Sequence, residues 1–248
     1  MPPGSPAFHT TRWSLVAAAA AVAESTTAAP NHALAELCQA YWYPLYAFVR
    51  RRGHSPEDAC DLTQGFFTRL MEKNDLAAAD QSRGRFRTFL LCSLANFLCN
   101  HRDHERASKR GGDRRHVSLT WDADDAEARY RREPIDGLTP ERLFDRQWAL
   151  ALLDRVLVEL RDDYERAGNG QLFDALKGAL TRATDAPGYE RVATELGMTP
   201  GAVKVAAHRL RSRYRQHLRR TIADSVESDE DVDDEIRHLF HVLSNTGA

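Results

Sequence analysis

Apolar residues recur at intervals of three and four along nearly every segment of this chain, and no convincing alternation of apolar and polar residues appears. Intervals of three and four place apolar side chains on one face of a helix, whereas alternation favours strands. The pattern therefore predicts an all-α protein. Within it we predict a helical domain over residues 1–108, a long linker over 109–138, a second helical domain over 139–222, and a tail over 223–248 with an amphipathic helix.

The first domain is predicted to contain four helices, of which the first is short and lies in TRWSLVAAAA. The second runs from about Ala33 to Arg52 and ends at Gly53. The third starts at SPED, with Ser55 as its N-cap and Pro56 at its first helical position. The fourth runs from about Phe86 to Ala107. The third helix leaves a polar face for a partner, formed by Asp58, Asp61, Gln64 and Thr68.

The segment from Lys109 to Leu138 is rich in Gly, Arg and Asp and has no lasting periodicity, which is typical of a tether. The second domain is predicted to begin at TPER, with a long helix from Pro140 to about Arg166. A break at AGNG then precedes a helix that carries four apolar residues, Leu172, Phe173, Leu176 and Leu180.

Two short segments near the end of the second domain form the pattern of a helix-turn-helix. Tyr189 to Leu196 is predicted to be one helix, and Gly197 allows the positive φ of a tight turn. Thr199 then caps a second helix that has Pro200 at its first position. The second helix buries an apolar stripe formed by Val203, Ala206, Ala207 and Leu210.

Charge is strongly segregated along the chain, although the formal net charge is only −2. Seven Lys and Arg and no acids lie between Leu196 and Ala223, whereas eight acids and no Lys or Arg lie between Asp224 and Glu235. Clustered cations on a helix favour a polyanionic partner, and small residues at the start of that helix allow close approach to base edges. A solvated basic face on any helical hairpin is the alternative. The residues predicted to contact DNA are Thr199, Ala202, Lys204, His208, Arg209, Arg211 and Arg215.

Composition is ordinary for a soluble protein, with 42% hydrophobic residues in 248, and no apolar run approaches the ~20 residues that span a bilayer. We expect a cytoplasmic protein with no membrane span. The four cysteines are predicted to be reduced core residues, at positions Cys38, Cys60, Cys92 and Cys99. A zinc site of Cys92, Cys99, His101 and His104 is the alternative, but its spacing is not that of a standard zinc finger. We expect no metal and no other cofactor.

The helix-turn-helix segment YERVATELGMTPGAVKVAAHRLRSRYR resembles the C-terminal DNA-binding region of bacterial RNA polymerase sigma factors of the extracytoplasmic-function type. That region commonly has the form Y-x-x-I-A-x-x-L-G-x-S-x-G-T-V-K-x-x-x-x-R-A. In the first half of the chain, YWYPLYAFVRRRGHSPEDACDLTQGFFTRLM is similar to the core-polymerase-binding region of the same family. The resemblance implies that Asp58, Asp61 and Gln64 bind core polymerase, while Phe67 and Leu70 pack inward.

A third segment, GRFRTFLLCSLANFLCNHRDHER, resembles the family's promoter-melting region. The resemblance implies that five residues contact the upstream promoter element, namely Arg83, Arg85, Arg87, Asn96 and Asn100. Some positions depart from the family pattern: Gly65 replaces a usual acid, Asn100 stands where Asp is common, and the L-P-x-x-x-R segment is absent. The chain is thus expected to belong to a divergent branch.

The function that the resemblance implies is that of a sigma factor, which directs RNA polymerase to specific promoters and carries no catalytic site of its own. Its expected partners are core RNA polymerase and promoter DNA, together with an anti-sigma protein if the tail does not hold the factor inactive. One alternative is a helix-turn-helix transcriptional regulator that does not bind core polymerase. A nuclease that uses Glu57, Asp58 and Asp61 is a weaker alternative, because capping already explains these neighbouring acids.

The tail SVESDEDVDDEIRHLFHVLS begins with acids and continues with an apolar stripe formed by Val232, Ile236, Leu239, Phe240 and Leu243. One hypothesis is that this helix docks on the DNA-binding domain and competes with DNA through Asp229 to Glu235. The alternative is that it only covers a hydrophobic surface.

Overall fold

The computed structural model describes residues 16, 32–72, 76, 79, 85–107, 123–133, 137–180, 188–223, 226 and 228–244. Within these ranges the chain is helical and contains no β-strand, which confirms the all-α class. The described α-helices are α1 (His32–Arg51), α2 (Pro56–Glu72), α3 (Phe86–Ala107), α4 (Ala123–Arg132), α5 (Pro140–Arg166), α6 (Gly170–Leu176), α7 (Tyr189–Leu196), α8 (Pro200–Ala223) and α9 (Asp229–Ser244). A short 3₁₀ helix, Lys177–Ala179, follows α6. The helix predicted in TRWSLVAAAA falls, except for Val16, outside the described residues.

The chain divides into two compact units whose bounds differ from the predicted domains. The first unit comprises residues 1–152 and 223–248, and the second comprises residues 153–222. The boundary therefore falls inside α5, and the tail belongs with the first unit rather than standing alone. The physical reason is that the start of α5 is engaged in the first unit, where Arg146 donates a hydrogen bond to Glu133 at 2.7 Å and Gln147 accepts one from Arg129 at 3.0 Å.

The predicted tether is corrected where it contains α4. This helix packs on α1 through Glu127, which accepts hydrogen bonds from the Tyr46 hydroxyl at 2.8 Å and from Arg50 Nε at 2.8 Å. Ala126 and Tyr130, four residues apart, are buried on the same helix. A single pair of apolar residues at helical spacing among many charged residues is too short a pattern to predict a helix from the sequence. Residues 109–122 of the predicted tether lie outside the described residues.

Helices α2 and α3 pack through apolar side chains, and Phe67 and Leu70 face inward, as the resemblance implied. Phe66, Phe67 and Leu70 of α2 are 2–3% exposed, and Leu94 of α3 is fully buried. The rings of Phe66 and Phe97 meet edge to face with their centroids 5.9 Å apart. This packing fixes which residues of α2 and α3 remain at the surface.

The cysteines divide into two groups, and the prediction that all four are core residues is wrong for two of them. Cys38 and Cys60 are buried, and burial raises the pKa of the Cys38 thiol to about 12. Cys92 and Cys99 are exposed on α3. Their spacing of seven residues does place them on one helix face, but Leu90, Leu94 and Leu98 form the buried face instead.

The second unit has a core of its own, which α5 to α8 all contribute to. Its buried residues are Leu160, Tyr164, Phe173, Leu176, Val192, Ala193, Val203, Ala207 and Leu210. The ring centroids of Tyr164 and Phe173 lie 5.7 Å apart within this core. Because both α7 and α8 bury side chains in this core, their relative orientation is determined by packing as well as by the turn between them.

Candidate nucleic-acid interface

The turn between α7 and α8 is built as its sequence predicts. Gly197 adopts the left-handed conformation, with φ 63° and ψ 32°, and ends α7. The amide of Met198 reaches back to the carbonyl of Ala193 at 2.8 Å. Thr199 Oγ1 then accepts a hydrogen bond from the amide of Ala202 at 3.2 Å, which satisfies one of the free donors at the start of α8. The two helices are therefore joined by a three-residue turn, as in a helix-turn-helix.

The surface of α8 that faces away from the core is exposed and basic. Six of the seven residues predicted to contact DNA are exposed: Thr199, Ala202, Lys204, His208, Arg209 and Arg215. Arg213, Arg219 and Arg220 are exposed as well. No acid lies on this helix, so its exposed side chains carry only positive charge, from Lys204 to Arg220. Such a surface neutralises phosphates and gains free energy from the release of condensed counterions.

Arg211 differs from the other predicted DNA-contacting residues. It is half-buried, and its Nε donates a hydrogen bond to the carbonyl of Ala179 at 3.1 Å. This bond ties α8 to the end of the 3₁₀ helix. Arg211 therefore has a structural role in the second unit, which the one-dimensional pattern of basic residues did not reveal.

Val205 is an exposed residue of α8 that the sequence reasoning did not select. Its side chain is 52% exposed and lies beside Lys204 near the start of the helix. An exposed aliphatic group at this end of a recognition helix suits contact with the methyl group of thymine. Its exposure could have been predicted, because Val205 lies outside the helix face formed by the buried residues Val203, Ala207 and Leu210.

The C-terminal half of α8 is anchored to α5 by His217. Its Nε2 lies 3.0 Å from a carboxylate oxygen of Asp163, and its Nδ1 lies 3.7 Å from Glu159. Arg155 also pairs with Glu159, at 2.6 Å. These contacts hold the C-terminal half of α8 on α5 within the second unit.

Of the polar face predicted on α2, Asp58 and Asp61 are exposed, whereas Gln64 and Thr68 are half-buried. Asp58 accepts a hydrogen bond from the Ser55 hydroxyl at 2.8 Å, and the Asp58 amide donates to Ser55 Oγ at 3.0 Å, so this pair caps the helix. Asp61 is exposed, whereas Gln64 is half-buried and its amide nitrogen lies 3.4 Å from Cys60 Sγ. Asp58 and Asp61 also line a cavity of about 450 Å³ between α2 and α3, together with Arg52, His54, Phe97 and His101.

Asn96 and Asn100, predicted to face splayed bases, are both exposed on α3 and lie four residues apart. Four residues place them on the same face of the helix. Arg83 lies outside the described residues. Arg85 is half-buried and precedes α3.

Arg87 is not the available cation that was predicted, because it is 6% exposed. Its guanidinium forms two hydrogen bonds with the carboxylate of Glu235 on α9, one between Nη1 and Oε1 and one between Nη2 and Oε2, the latter 3.2 Å long. Arg85 Nε also lies 2.7 Å from Glu235. The predicted docking of the tail on the helix-turn-helix domain is therefore corrected: its ion pairs are with the first unit.

A second acid and a histidine complete this charged cluster. Asp145 of α5 lies 3.7 Å from Arg87 and 4.0 Å from His238 of α9. Burial raises the pKa of Asp145, although Arg87 opposes the effect. Burial, followed by the charge of Arg87, lowers the pKa of His238. His238 is therefore favoured in its neutral form, and Glu235 is the main countercharge to the two arginines.

Comparison of the chain with protein-family models, with curated proteins and with solved structures found no match. None of the described helices combines the length and apolar character needed to cross a membrane. Among the described residues, no group of three or more His, Cys, Asp or Glu is arranged to hold a metal ion.

Proposed function

We propose that this chain is a sigma factor of the extracytoplasmic-function type, from a divergent branch, which directs RNA polymerase to specific promoters. The observation that carries the proposal is the capped, acid-free helix α8, joined to α7 by a tight glycine turn and exposing six cations. This is the geometry with which a helix-turn-helix enters the major groove. The exposed Asp58 and Asp61 on the polar face of α2 are the feature that favours a polymerase subunit over a regulator that binds DNA alone.

In this proposal the two units have separate tasks. Asp58, Asp61 and Gln64 on α2 bind core polymerase, and Asn96 and Asn100 on α3 contact unstacked bases of the upstream element. Exposed amide side chains suit hydrogen bonds with the edges of unstacked bases. Helix α8 reads the duplex farther upstream. Catalysis remains with the polymerase, so the chain itself needs neither metal nor cofactor.

The test is binding of the purified full chain to bacterial core RNA polymerase, compared with an Asp61→Ala, Gln64→Ala double variant. We expect the double variant to bind at least ten-fold more weakly. A Glu57→Ala variant is the matched control, because Glu57 is an exposed acid in the first turn of the same helix but lies outside the matched motif. The control should bind as the unmodified chain does.

The result also separates the proposal from its alternative. Binding to duplex DNA without any binding to core polymerase would point to a helix-turn-helix regulator that acts alone. Equal losses in the double variant and in Glu57→Ala would mean that only the negative charge of α2 matters, and would contradict the assigned interface. Absence of binding to both polymerase and DNA would overturn both functions.

A further inference from the structure

Helix α9 is held on the first unit by one face that carries both apolar and acidic residues. Val232 is 2% exposed, and Glu235 and Leu239 are fully buried. Their spacing of three and four residues places them on one face of the helix. The start of α9 is capped, since Ser228 Oγ and Asp231 exchange hydrogen bonds. A buried glutamate in the middle of an apolar contact face has to be compensated by specific partners.

The partners of Glu235 are the two arginines at the start of α3. Arg87 contacts both carboxylate oxygens, and Arg85 approaches one of them at 2.7 Å. The Arg87 guanidinium also lies over the Trp148 ring, 4.0 Å from its centroid. Arg87 is thus enclosed by the Glu235 carboxylate, by the Trp148 ring and by Asp145 at 3.7 Å, and it is only 6% exposed.

A carboxylate held by paired guanidinium groups uses the same donor arrangement that recognises a phosphate. Arginine presents a planar fork of donors that fits carboxylate and phosphate oxygens alike. One anion excludes the other, because both require the same nitrogen atoms. Next to Glu235, α9 also exposes four acids, Glu230, Asp231, Asp233 and Asp234. Their negative charges stand in place of the phosphates of a nucleic-acid strand bound at the same site.

We propose that α9 is an intramolecular competitor of single-stranded nucleic acid, in which Glu235 occupies the arginine pair that backbone phosphate would otherwise take. The inference rests on the proposed function, since it assigns Arg85 and Arg87 to a DNA strand. It differs from the tail hypothesis drawn from the sequence, because the masked surface belongs to the first unit and not to the helix-turn-helix. The first unit binds a strand through these arginines only after α9 has left them.

The first experiment measures the affinity of the full chain for a 20-nucleotide oligothymidylate by fluorescence anisotropy at one fixed ionic strength. We expect Glu235→Gln to bind about ten-fold more tightly, because the neutral amide no longer competes for the guanidinium groups. Glu230→Gln removes the same charge from an exposed position on the same helix and should change the affinity less than about two-fold. Equal affinities for the two variants would overturn the proposal.

A second variant tests whether the higher affinity of Glu235→Gln for oligothymidylate depends on the arginine pair. In the Glu235→Gln chain, the additional change Arg87→Gln should abolish the increase in affinity. If the increase persists, the oligonucleotide binds elsewhere, and the competition at Arg87 is wrong.

Hydrogen exchange on the unmodified chain keeps the test independent of whether the variants fold. Saturating oligothymidylate should accelerate amide exchange in α9, with the core helices α1 to α3 remaining protected. Unchanged or slower exchange in α9 at saturation would show that the strand and α9 are bound at once, which contradicts the proposal.

Failure of this inference is distinguishable from failure of the proposed function. If core polymerase and duplex DNA still bind but Glu235→Gln gives no gain, then the Arg87–Glu235 pair is purely structural and the sigma-factor proposal stands. If neither polymerase nor DNA, oligothymidylate included, binds any variant, both the proposed function and this inference are wrong.

Discussion

Gly197 illustrates how one residue determines the geometry of the turn between α7 and α8. Its φ of 63° lies in the left-handed region, where a β-carbon is unfavourable. No neighbouring atom would contact an added β-carbon, so the conformation alone requires glycine there. The turn predicted from the sequence pattern Leu-Gly-x-Thr-Pro is therefore observed for the physical reason that was assigned to it.

We expect Gly197→Ala to lower the free energy of unfolding of the second unit by about 1 kcal/mol, because alanine must adopt a positive φ. Urea denaturation followed by circular dichroism measures the change. Gly201→Ala is the control: Gly201 lies in the first turn of α8, its added β-carbon would also meet nothing within 4 Å, and its φ is not positive. That control should be neutral or slightly stabilising. Equal losses in both variants would contradict the role of φ.

Arg85 and Arg87 are residues whose burial could not be predicted from their type. Both were predicted to contact nucleic-acid backbone because they are cations in a matching motif. Their type says nothing of burial, which in Arg87 depends on Trp148 and Glu235, residues far away in the chain. The same applies to Arg211, whose bond to the carbonyl of Ala179 arises only when α8 packs.

At the scale of elements, α4 is the helix that most changes the predicted picture. It replaces part of the supposed tether, and its attachment to α1 depends on Glu127. Hydrogen bonds from Arg50, then from Tyr46 and Arg131, lower the pKa of Glu127 from 4.5 to about 2. Because the folded-state pKa is depressed, the stabilisation by the carboxylate is present above pH 4.5 and is lost as the pH falls towards 2.

We therefore expect Glu127→Gln to destabilise the first unit by about 2 kcal/mol at pH 7, since the Arg50 guanidinium loses its charged partner. The difference from the unmodified chain should shrink as the pH is lowered from 4.5 towards 2, which urea denaturation at several pH values measures. Glu141→Gln, an exposed acid at the start of α5, should change stability by less than about 0.5 kcal/mol. A pH-independent difference for Glu127→Gln would contradict the assigned pKa.

Other elements were predicted with nearly correct bounds. Helix α3 spans Phe86–Ala107 and α5 spans Pro140–Arg166, as their periodicity and caps indicated. The apolar stripe of α9 was only partly correct, because Phe240 is 56% exposed while Val232 and Leu239 are buried. When the apolar face of a helix is wider than the surface it packs on, the residues at one edge of that face remain exposed to solvent. The sequence does not reveal which edge this is.

At the scale of the whole molecule, charge segregation matters more than net charge. The formal charge of −2 would predict weak repulsion from DNA, but six exposed cations of α8 lie on one helix without an acid. Because screening limits charge interactions to about 10 Å at 0.1 M salt, a local cluster acts independently of distant acids. The average charge is therefore a poor guide to the partner of this chain.

We expect the affinity of the full chain for duplex DNA to fall with rising salt. The logarithm of the association constant plotted against the logarithm of the salt concentration should have a slope of at most about 5 in magnitude, with a negative sign, because six cations of α8 are exposed. Replacing Arg215 and Arg220 together by alanine should make the slope shallower by about 2. The control pair, Arg132→Ala with Arg142→Ala, removes two exposed cations from the first unit and should leave the slope unchanged. Anisotropy titrations at several salt concentrations measure it, and identical slopes for the two double variants would contradict binding through α8.

The sequence by itself determined the helical class, the caps and most helix bounds, because these depend on residues within a few positions of one another. It also located the turn at Gly197 and the basic surface of α8. Only the tertiary structure decided the unit boundary within α5, the attachment of α4 and the burial of Arg87. These depend on contacts between distant residues, such as the pairing of Arg87 with Glu235 across 148 positions, and such pairings follow from how the helices pack.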